Sequence, residues 1–588
     1  MCGIFGFSNC LFPPSQRIEM ITQMNKMTAH RGPNEFKWFT NEKVTIGSNR
    51  LSITDIQNGS QPFKDSSGKV ICFFNGEIYN FKKLKKDLMS KGYFFYSDCD
   101  GEVIPALYLE YGYDFLSYLD GMFAICLYDE TLNELVLAVD PYSIKQLYYT
   151  TQKETFVFCS EIKGLSVLPH VKFDVSEEKI LQYLFYKAVF PPETAFNEIK
   201  KLTPSSFLII KNGRLLKKQK YTPKQILPST SVNLSLGEMT QQFKESLINA
   251  VLEMVPKEVH FSCLLSGGLD SSTICSILKK YTGDPFDVYS IGYSDDLLDD
   301  ERKFARRLSK NLNLHLHEVL LTPEEIPILL EKVSWSLEEP IQDPITLPTY
   351  KVIEQASESN RVLLTGDGAD ELFGGYNRYK ALLKKGKAAY LDELGTLSLD
   401  HFTSMLELSN FSDPYFGTLP LEVTLEDVMK LEQITRLPSY HLVRVDKLSM
   451  AHSVEARVPL LRNVVREYSE LMNTQYGCIQ HDNEKWLLKK SLADIVPSYI
   501  INRKKKPFTL PISHWVKDEL YDFIHSSLFA VNSQSTNYFS KKQLTHLLNV
   551  HKTGKYDYSS IIWALINLEY FYQNVQKLKS QEVPYNSF

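Results

Sequence analysis

Two patterns of hydrophobic and polar positions divide the chain. In its first third, short apolar runs such as 70–74 and 121–128 are bounded by turn residues, and this predicts strands. Apolar residues at helical spacing predict a helix over 81–88, which Gly92 ends. We therefore predict a mixed α/β region of short strands, hairpins and a few helices.

Farther along the chain, predicted helices and strands alternate. An amphipathic helix is predicted over 237–254, followed by a strand at 259–265 and a helix at 271–280. Further strands are predicted at 288–291 and 361–364, and the C-terminal part is predicted to be helical. This alternation is typical of an α/β fold with a doubly wound parallel sheet.

A proline-containing segment separates the two patterns. It holds Pro204, Pro223 and Pro228 together with several Lys and Ser residues, which is typical of a domain boundary. We predict one domain over 2–205 and a second over 232–575. A chain of 588 residues is also too long for one ordinary domain.

Composition and charge narrow the class of protein. A content of 43% hydrophobic and 23% charged residues excludes a disordered, collagen-like or coiled-coil chain. A net charge of -5 gives no electrostatic reason to expect nucleic acid or a membrane as a partner. No uncharged apolar run approaches the ~18 residues of a membrane span, and the N-terminus lacks a secretory signal pattern. Nine cysteines without a CxxC pair predict free thiols in a reducing, cytoplasmic compartment.

Cys2 directly follows the initiator methionine. If Met1 is removed, Cys2 carries a thiol nucleophile and an α-amine that can act as its base. The α-amine titrates near ~7.7–8.0 and the thiol near ~8.5. The small Gly3 lets the backbone turn close to a substrate. The dipeptide alone is a weak signal, because an early cysteine is more often incidental.

Four further segments strengthen the case for Cys2. They follow in the order His30-Arg31-Gly32-Pro33, Arg50-Leu51-Ser52-Ile53, Phe74-Asn75-Gly76-Glu77-Ile78-Tyr79-Asn80 and Asp100-Gly101-Glu102-Val103-Ile104. With Met1-Cys2-Gly3-Ile4-Phe5-Gly6 they resemble the class II glutamine amidotransferase domain, an N-terminal-nucleophile fold with α/β/β/α layers. The resemblance implies that Cys2 attacks the carboxamide of glutamine and forms a glutamyl thioester.

The same resemblance implies roles for the other residues of these segments. Asn75 and Gly76 match the oxyanion-hole positions, where each donor is worth ~2.7–4 kcal/mol to the transition state. Arg50 matches the residue that holds the glutamine carboxylate, a function suited to a guanidinium group. Asp100 matches the acid that receives the α-amine of glutamine. The remaining implied glutamine contacts are Ile53 and Glu77.

The segment 266–272 (SGGLDSS) lies between a predicted strand and a predicted helix. Glycines let the backbone approach phosphate, and the N–H groups of a helix N-terminus point at anions. An ordinary strand–helix turn is the alternative, since Gly, Asp and Ser favour turns. The chain contains neither GxxxxGK[ST] nor GxGxxG, which excludes a Walker-type or dinucleotide site. The segment resembles the pyrophosphate-binding loop of ATP pyrophosphatases, which cleave ATP between its α- and β-phosphates and adenylate a carboxylate.

This second resemblance implies an ATP site with Mg²⁺. Asp270 and Asp343 match magnesium carboxylates, and the acids of 366–376 (GDGADELFGGY) need cations or a helix N-terminus if buried. Lys505 matches a lysine that contacts the phosphates and stabilises the adenylation and amide-forming transition states. The implied ATP-binding residues are Leu265, Ser266, Gly267, Gly268, Asp270, Ser271, Ser272, Ile291, Gly366 and Asp367.

Taken together, the motifs from Cys2 to Pro511 resemble the glutamine-hydrolysing asparagine synthetase family. The resemblance implies a ligase that frees ammonia from glutamine, adenylates the β-carboxylate of aspartate with ATP, and releases asparagine, AMP and pyrophosphate. Ammonia must cross between the sites by a closed passage, since protonation would remove its lone pair. The implied partners are the small molecules glutamine, aspartate and ATP, and a homodimer is compatible with the resemblance.

Besides Val139, which replaces an Arg of the family pattern, four positions depart from that pattern. They are Asn34, where the family has Asp, Ser143 for Gly, Gln146 for Pro, and Pro507 for Gly, which predicts a stiffer loop. These departures keep open a related ATP-dependent amidotransferase acting on another carboxylate, as in surface-polysaccharide or secondary-metabolite synthesis. A non-catalytic homologue and a β-lactam-synthetase-like ring closure are further alternatives, and the intact Cys2 argues against both.

Overall fold

A computed structural model describes residues 2–8, 12–152, 154–293, 301–406, 415–417, 419–420, 422–505 and 510–580. In these residues the chain forms three β-sheets with helices packed around them. Two sheets are antiparallel and belong to the first part of the chain, whereas the third is parallel and belongs to the second part. The structure therefore confirms the two predicted α/β patterns.

The first part contains twelve strands. They are β1 (Cys2–Ser8), β2 (Glu35–Thr40), β3 (Val44–Arg50), β4 (Phe63–Lys64), β5 (Val70–Ile78), β6 (Gly121–Asp129), β7 (Glu134–Val139), β8 (Tyr148–Gln152), β9 (Thr155–Cys159), β10 (Lys200–Lys201), β11 (Ser206–Lys211) and β12 (Arg214–Lys220). One sheet has the strand order β10-β8-β9-β1-β3-β2, and the other has the order β12-β11-β7-β6-β5-β4.

These two sheets stack against each other and are covered by helices on their outer faces. Alternate side chains of β1 point to opposite faces, so Ile4 enters the core between the sheets while Phe5 and Phe7 face outward. Phe5 and Phe7 pack with Ile21 and Met24 of helix α1. The resulting α/β/β/α layers confirm the predicted N-terminal-nucleophile arrangement. The helices of this part are α1 (Pro14–Thr28), α2 (Phe81–Met89), α3 (Val103–Tyr111) and α4 (Glu177–Tyr186).

The second antiparallel sheet extends beyond the predicted end of the first domain at residue 205. β11 pairs with β7, and β12 pairs with β11, so the sheet continues to Lys220. A boundary at 205 would cut these two strands from their sheet. We therefore move the proposed boundary of the first domain from 205 to the segment between β12 and residue 235.

The second part is built on one parallel sheet. Its strands are β13 (Phe261–Leu264), β14 (Asp287–Tyr293), β15 (His315–Leu321), β16 (Val362–Leu364) and β17 (Glu455–Arg457), in the spatial order β15-β14-β13-β16-β17. All neighbouring pairs are parallel, and the strand order reverses direction at β13. This confirms the predicted doubly wound sheet.

Helices account for most of the remaining described chain, and the C-terminal part is helical as predicted. Those that surround the parallel sheet are α5 (Leu236–Glu253), α6 (Leu269–Thr282), α7 (Arg302–Leu312), α8 (Ile326–Leu337), α9 (Thr346–Ser357), α10 (Ala369–Phe373), α11 (Asn377–Lys385), α12 (Lys387–Leu394), α13 (Leu399–Met405), α14 (Leu425–Ile434) and α15 (Val443–Met450). The later helices are α16 (Asn463–Tyr476), α17 (Trp486–Ser491), α18 (Ser498–Ile501), α19 (Ile512–Trp515), α20 (Tyr521–Leu528), α21 (Lys541–Lys552) and α22 (Ser559–Ser580). Among the described helices, not one combines the length and apolar character that a membrane crossing requires.

A set of buried ion pairs joins the two parts of the molecule. Arg31 Nη2 lies 2.9 Å from Asp446 Oδ2, and Lys145 Nζ lies 3.2 Å from Asp446 Oδ1. Lys163 Nζ lies 3.4 Å from Glu338 Oε1. All five side chains are at most 2% exposed, so each buried charge is stabilised by its partner across the boundary. We call these five residues the interdomain charge network. Glu161 and Lys447 add further ion pairs to this set from within the same part of the chain.

Candidate active sites

Cys2 begins the central strand β1 of the first sheet. Its backbone lies opposite Arg50 in the pairing of β1 with β3, which places the guanidinium group near the thiol. Burial raises the pKa of the Cys2 thiol, and the side chain is only 5% exposed. A base must therefore take the thiol proton before the sulfur can attack a substrate.

The adjacent segment of β5 supplies the predicted oxyanion-hole residues. Cys2 N donates a hydrogen bond to Asn75 Oδ1 at 3.0 Å, so the Asn75 side chain lies beside the nucleophile. Asn75 Nδ2 is buried and has no hydrogen-bond partner among the described residues. An unpaired buried donor costs about 1–3 kcal/mol, a cost that an oxygen of a bound substrate would remove.

Gly76 occupies a position that no other residue could take without strain. Its φ is 152°, and a Cβ atom there would lie 2.0 Å from the carbonyl oxygen of Met122 on the paired strand β6. The backbone of this strand can therefore run directly past the nucleophile.

The predicted glutamine-binding residues line one small cavity of about 30 Å³ beside Cys2. Asn75 borders it through its bond to the Cys2 backbone. The structure thus brings together all the residues that the sequence assigned to glutamine. Those on the cavity wall are Cys2, Arg50, Ile53, Gly76, Glu77 and Asp100.

Opposite charges occupy this cavity. Arg50 donates hydrogen bonds to the carbonyl oxygens of Thr54 at 3.2 Å, Asp55 at 2.8 Å and Ile56 at 3.3 Å, which fixes the loop that carries them. Asp100 Oδ2 accepts a hydrogen bond from the Ile78 backbone N–H at 2.6 Å. A cation and a carboxylate in one cavity suit an amino acid, whose carboxylate and ammonium groups carry the complementary charges.

The two acids of the cavity are both buried. Burial raises the pKa of Asp100 to about 6, and burial likewise raises the pKa of Glu77 to about 8. Glu77 Oε2 also lies 3.0 Å from Arg457 Nη2, which belongs to strand β17 of the parallel sheet. The glutamine cavity therefore contacts the second part of the molecule directly.

Gln61 is a residue of this site that the sequence motifs did not include. Its Nε2 donates to the Phe74 carbonyl at 2.8 Å, and its Oε1 accepts from the Phe74 N–H at 2.8 Å. The same Nε2 lies 3.5 Å from Cys2 Sγ. Gln61 holds the residue before Asn75, so it positions the oxyanion-hole segment against the nucleophile. The matched motifs contain no position for it, and its role depends on a contact that only the fold creates.

Of the four departures from the family pattern other than Val139, three are described. Asn34 Oδ1 accepts a hydrogen bond from Ser52 N at 2.9 Å, next to Arg50. Ser143 adopts the left-handed conformation with φ 51°, which explains why glycine is usual there. Gln146 Nε2 donates to the carbonyl of Pro438, in the second part of the chain, at 3.1 Å. The fourth position, Pro507, lies outside the described residues.

A second cavity of about 770 Å³ opens at the carboxyl ends of the parallel strands. In doubly wound folds this edge is where ligands bind. Asp343 and Lys505 both line it. The predicted ATP-binding residues that also line it are Leu265, Ser266, Gly268, Asp270, Ser271, Ile291, Gly366 and Asp367.

Two predicted ATP residues are not on the cavity wall. Ser272 is fully buried in α6, and its hydroxyl has no partner among the described residues. Gly267 has φ 73°, and a Cβ there would lie 2.7 Å from Phe304 Cβ. Its carbonyl accepts a hydrogen bond from Arg503 Nη1 at 2.8 Å. These two residues therefore pack on the side of the loop that faces away from the cavity, whereas their neighbours line the cavity.

The loop between β13 and α6 is closed by its own hydroxyl groups. Ser266 N donates to Ser271 Oγ at 3.2 Å, and Gly268 N donates to Ser266 Oγ at 3.3 Å. Helix α6 begins at Leu269, so its first N–H groups face the cavity side of the loop. The arrangement fits phosphate, which helix N-termini and small-residue loops bind.

Beside this loop lies an alternating group of acids and lysines. Lys485 Nζ is 2.7 Å from Asp270 Oδ2 and 2.7 Å from Asp370 Oδ1, and Lys505 Nζ also bonds to Asp370. Burial acts to raise the pKa of Asp370, but the two ammonium groups lower it below the usual range. Lys485 was not a predicted site residue, because it is 215 positions from Asp270 and belongs to none of the matched motifs.

A second ion-paired group lies on the same cavity. Arg444 Nη1 is 2.6 Å from Asp343 Oδ2, and Arg444 Nη2 is 3.2 Å from Asp367 Oδ1. The two predicted magnesium carboxylates, Asp270 and Asp343, therefore each bond to a basic side chain in this structure. Sequence motifs identified the acids of the cavity and Lys505, but not Lys485 or Arg444.

Comparison with known proteins extends over both parts of the chain. Residues 242–573 match the family model of asparagine synthase, and residues 1–222 match that of the glutamine amidotransferase domain. The chain is 30% identical to glutamine-hydrolysing asparagine synthetase 1 of Bacillus subtilis, over 96% of this chain and 95% of that protein. It is 27% identical to a putative glutamine-hydrolysing asparagine synthetase of Mycobacterium bovis, over 96% of each chain. It is also 25% identical to the amidase chry2 of Gibberella zeae, over 89% of each chain.

Proposed function

Because the chain belongs to the asparagine synthase family and is an ATP-dependent, glutamine-hydrolysing ligase, we propose that it makes asparagine from aspartate. The observation that carries the proposal is the unpartnered Asn75 Nδ2 beside Cys2, in a chain that also carries the large cavity at the parallel sheet. The first site is suited to amide hydrolysis, and the second is large enough for a nucleotide with an acceptor.

In the first site, the Cys2 sulfur attacks the carboxamide carbon of glutamine. The α-amine of Cys2, free once Met1 is removed, takes the thiol proton and later delivers a proton to the leaving ammonia. Asn75 Nδ2 and the Gly76 N–H donate hydrogen bonds to the developing oxyanion. Water then hydrolyses the glutamyl thioester to glutamate. Arg50 and Asp100 hold the carboxylate and ammonium groups of glutamine, and Ile53 and Glu77 complete the cavity.

In the second site, the Ser266–Ser271 loop and the N-terminus of α6 bind the phosphates of ATP. The acceptor carboxylate attacks the α-phosphorus, and pyrophosphate leaves. Lys505 and Lys485 are placed to stabilise negative charge on the phosphates, by exchanging their bonds with Asp370 and Asp270 for bonds to the nucleotide. Ammonia then displaces AMP from the acyl-adenylate and forms the amide.

The donors of the second cavity fit a magnesium ion. Asp270 and Asp343 are hard oxygen donors that both line the cavity, and Mg²⁺ usually takes one or two carboxylates together with substrate phosphates. We propose that these two residues hold the ion, which would neutralise phosphate charge when bound with ATP. Each acid would first exchange its basic partner, Lys485 or Arg444, for the ion.

The experiment measures pyrophosphate release and asparagine formation with ATP, Mg²⁺ and glutamine, with and without aspartate. We expect both products to depend on aspartate. The Cys2→Ala variant should lose glutamine-dependent synthesis and keep synthesis from free ammonium, because its second site is intact. Glutamine hydrolysis without aspartate-dependent pyrophosphate would contradict the proposal.

A second candidate function is amidation of another carboxylate by the same chemistry. Its support is the similarity, over most of both chains, to a protein described as an amidase rather than as a synthetase. The same assay separates the two, because a panel of carboxylates other than aspartate would then trigger pyrophosphate release.

A further inference from the structure

Lys187, at the end of α4, belongs to the first part of the chain but lines the large cavity of the second part. Its backbone N–H donates to the carbonyl of Tyr183 at 2.7 Å, and its own carbonyl accepts from Gln342 N at 2.9 Å. Its φ of 73° turns the chain sharply at the helix end. The backbone of Lys187 is therefore fixed from both sides, which places its side chain reproducibly.

The ammonium group of Lys187 has no hydrogen bond or ion pair with any residue that the structure describes. The other lysines and arginines lining the cavity each have an acidic partner: Lys485 with Asp270, Arg444 with Asp343, Arg503 with Glu301, Lys489 with Glu484, and Lys505 with Asp370. Among the acids, Asp343 has the largest electrostatic effect on Lys187, but Asp343 already pairs with Arg444 at 2.6 Å. A partly buried cation without a counter-charge is a site that an anionic ligand group would stabilise.

The surroundings of Lys187 add to this positive charge. Burial and the nearby Arg436 and Arg378 lower the pKa of Lys187 to about 7. Arg378 bonds to Glu432, whereas the Arg436 guanidinium lies 4.0 Å from the centre of the Tyr440 ring and donates to the Tyr186 carbonyl at 3.2 Å. An anion beside Lys187 would therefore meet a wall whose positive charge is incompletely neutralised.

Different elements form this wall and the phosphate-binding loop. Tyr440 donates its hydroxyl hydrogen to the Gln342 carbonyl at 3.1 Å, and Gln342 in turn bonds to Lys187. The phosphate-binding loop and its lysines come instead from the Ser266–Ser271 segment, Lys485 and Lys505. Lys187 belongs to neither the loop nor its lysines, and the acceptor is the remaining substrate in this cavity, so we assign the anionic group beside Lys187 to the acceptor.

We propose that Lys187 binds a second carboxylate of the acceptor, so that the enzyme selects dicarboxylates over monocarboxylates. The inference rests on the proposed function, since it assumes that the large cavity holds an acceptor carboxylate beside ATP. For aspartate, the β-carboxylate would react with ATP and the α-carboxylate would contact Lys187. A residue of the amidotransferase part of the chain would then contribute to the recognition of the acceptor that binds in the synthetase part.

The test compares two acceptors that differ in that one group. Aspartate and β-alanine share the reacting carboxylate and an amine, but β-alanine lacks the second carboxylate. Pyrophosphate release with ammonium as nitrogen source is measured for the full chain, for Lys187→Gln, for Lys187→Arg, which keeps the charge, and for Lys172→Gln, an exposed lysine outside the cavity. Thermal melting checks that each variant is folded.

We expect Lys187→Gln to raise KM for aspartate by about 10- to 100-fold, as loss of a charge-assisted hydrogen bond does, with a much smaller change in kcat. Its KM for β-alanine should change little, and Lys187→Arg should recover most of the preference for aspartate. Equal effects on both acceptors would overturn the proposal, and so would an effect confined to the KM for ATP.

A failure of the proposed function would look different. In that case the wild-type enzyme would release no pyrophosphate with aspartate, and the matched pairs glutamate with 4-aminobutyrate and succinate with butyrate would be assayed. Preference for the dicarboxylate of a pair, lost in Lys187→Gln, would support the inference for another acceptor. A wild-type preference for the monocarboxylate would overturn it.

Discussion

The two candidate sites of this molecule hold their polar groups in opposite ways. Around Cys2 the cavity is small, and the buried hydrogen-bond donor Asn75 Nδ2 has no acceptor among the described residues. In the larger cavity, the acids Asp270 and Asp343 are already neutralised by Lys485 and Arg444.

The difference follows from what each site must bind. A neutral carboxamide brings little charge, so fixed backbone and amide donors can be preorganised for its oxyanion. In the proposed function the second site binds the several negative charges of a nucleotide, and the groups that would bind them would be uncompensated in the empty cavity unless its side chains paired with one another. The first site is thus set by backbone geometry, and the second by exchangeable ion pairs.

After the loss of glutamine-dependent synthesis expected for Cys2→Ala, the largest expected effect confined to one site comes from Asn75→Ala. Removing an oxyanion donor should lower kcat for glutamine-dependent synthesis by about 10²–10³-fold. Synthesis from ammonium should stay close to wild type, because it bypasses the first site. Parallel measurement of both nitrogen sources provides the control. Equal loss with both would show that the two sites are not separable in this way.

Lys505→Ala tests the second site in the same manner. We expect pyrophosphate release to fall by about 10²-fold with either nitrogen source, since a cation that stabilises phosphate charge is lost. Lys504→Ala is the matched control, because Lys504 is an exposed neighbour of Lys505 and does not line the cavity. If Lys504→Ala were as impaired as Lys505→Ala, the side chain of Lys505 would have no special role.

A smaller effect is expected from pH, and it should again distinguish the sites. Asp100 must be ionised to hold the ammonium group of glutamine, and burial raises its pKa to about 6. Protonation of the Cys2 α-amine should already lower kcat/KM for glutamine below about pH 8, and below about pH 6 the fall should steepen by a further factor of about ten per unit. The ammonium-dependent reaction, expressed per unprotonated ammonia, should lack this second limb. Persistence of the second limb in Asp100→Asn would assign it to another group.

The smallest effect concerns Ser143, a buried residue in the left-handed conformation that lines neither cavity. Ser143→Gly should raise the free energy of unfolding by about 0.5–1 kcal/mol, since glycine accepts the φ of 51° without strain. Ser143→Ala is the control, because it keeps the Cβ atom and loses the hydroxyl. Urea unfolding of the full chain measures both. A stabilised Ser143→Ala would show that the hydroxyl, not the backbone, carries the cost.

The sequence predicted the elements of both sites better than it predicted their extent. The apolar run 70–74 marks β5, yet the strand continues to Ile78 because Asn75 and Gly76 still pair with β6. Strand β12 was missed because its side chains are polar and mostly exposed at a sheet edge. Local hydrophobic patterns cannot report pairing of this kind.

Within the sites, motifs identified residues that act through local sequence, such as the segments around Cys2 and Asp270. They did not identify Lys187, Lys485 or Arg444. Arg444, for example, is 101 positions from Asp343, and the bond exists only because α15 packs beside the carboxyl edge of the parallel sheet. Ion pairs such as Arg444–Asp343 form only in the assembled fold, so a motif within one segment of the sequence cannot predict them.

The interdomain charge network limits which substitutions can be accepted at its five positions during evolution. Asp446 pairs with both Arg31 and Lys145, so its neutralisation alone would remove the acidic partner of Lys145 and one of the two acidic partners of Arg31, the other being Glu161. Mutations on either side of the boundary should therefore be accepted in concert, and the two halves should co-evolve. A chimera that joins one half of this chain to the opposite half of a distant relative should fold poorly unless these five positions are transplanted together.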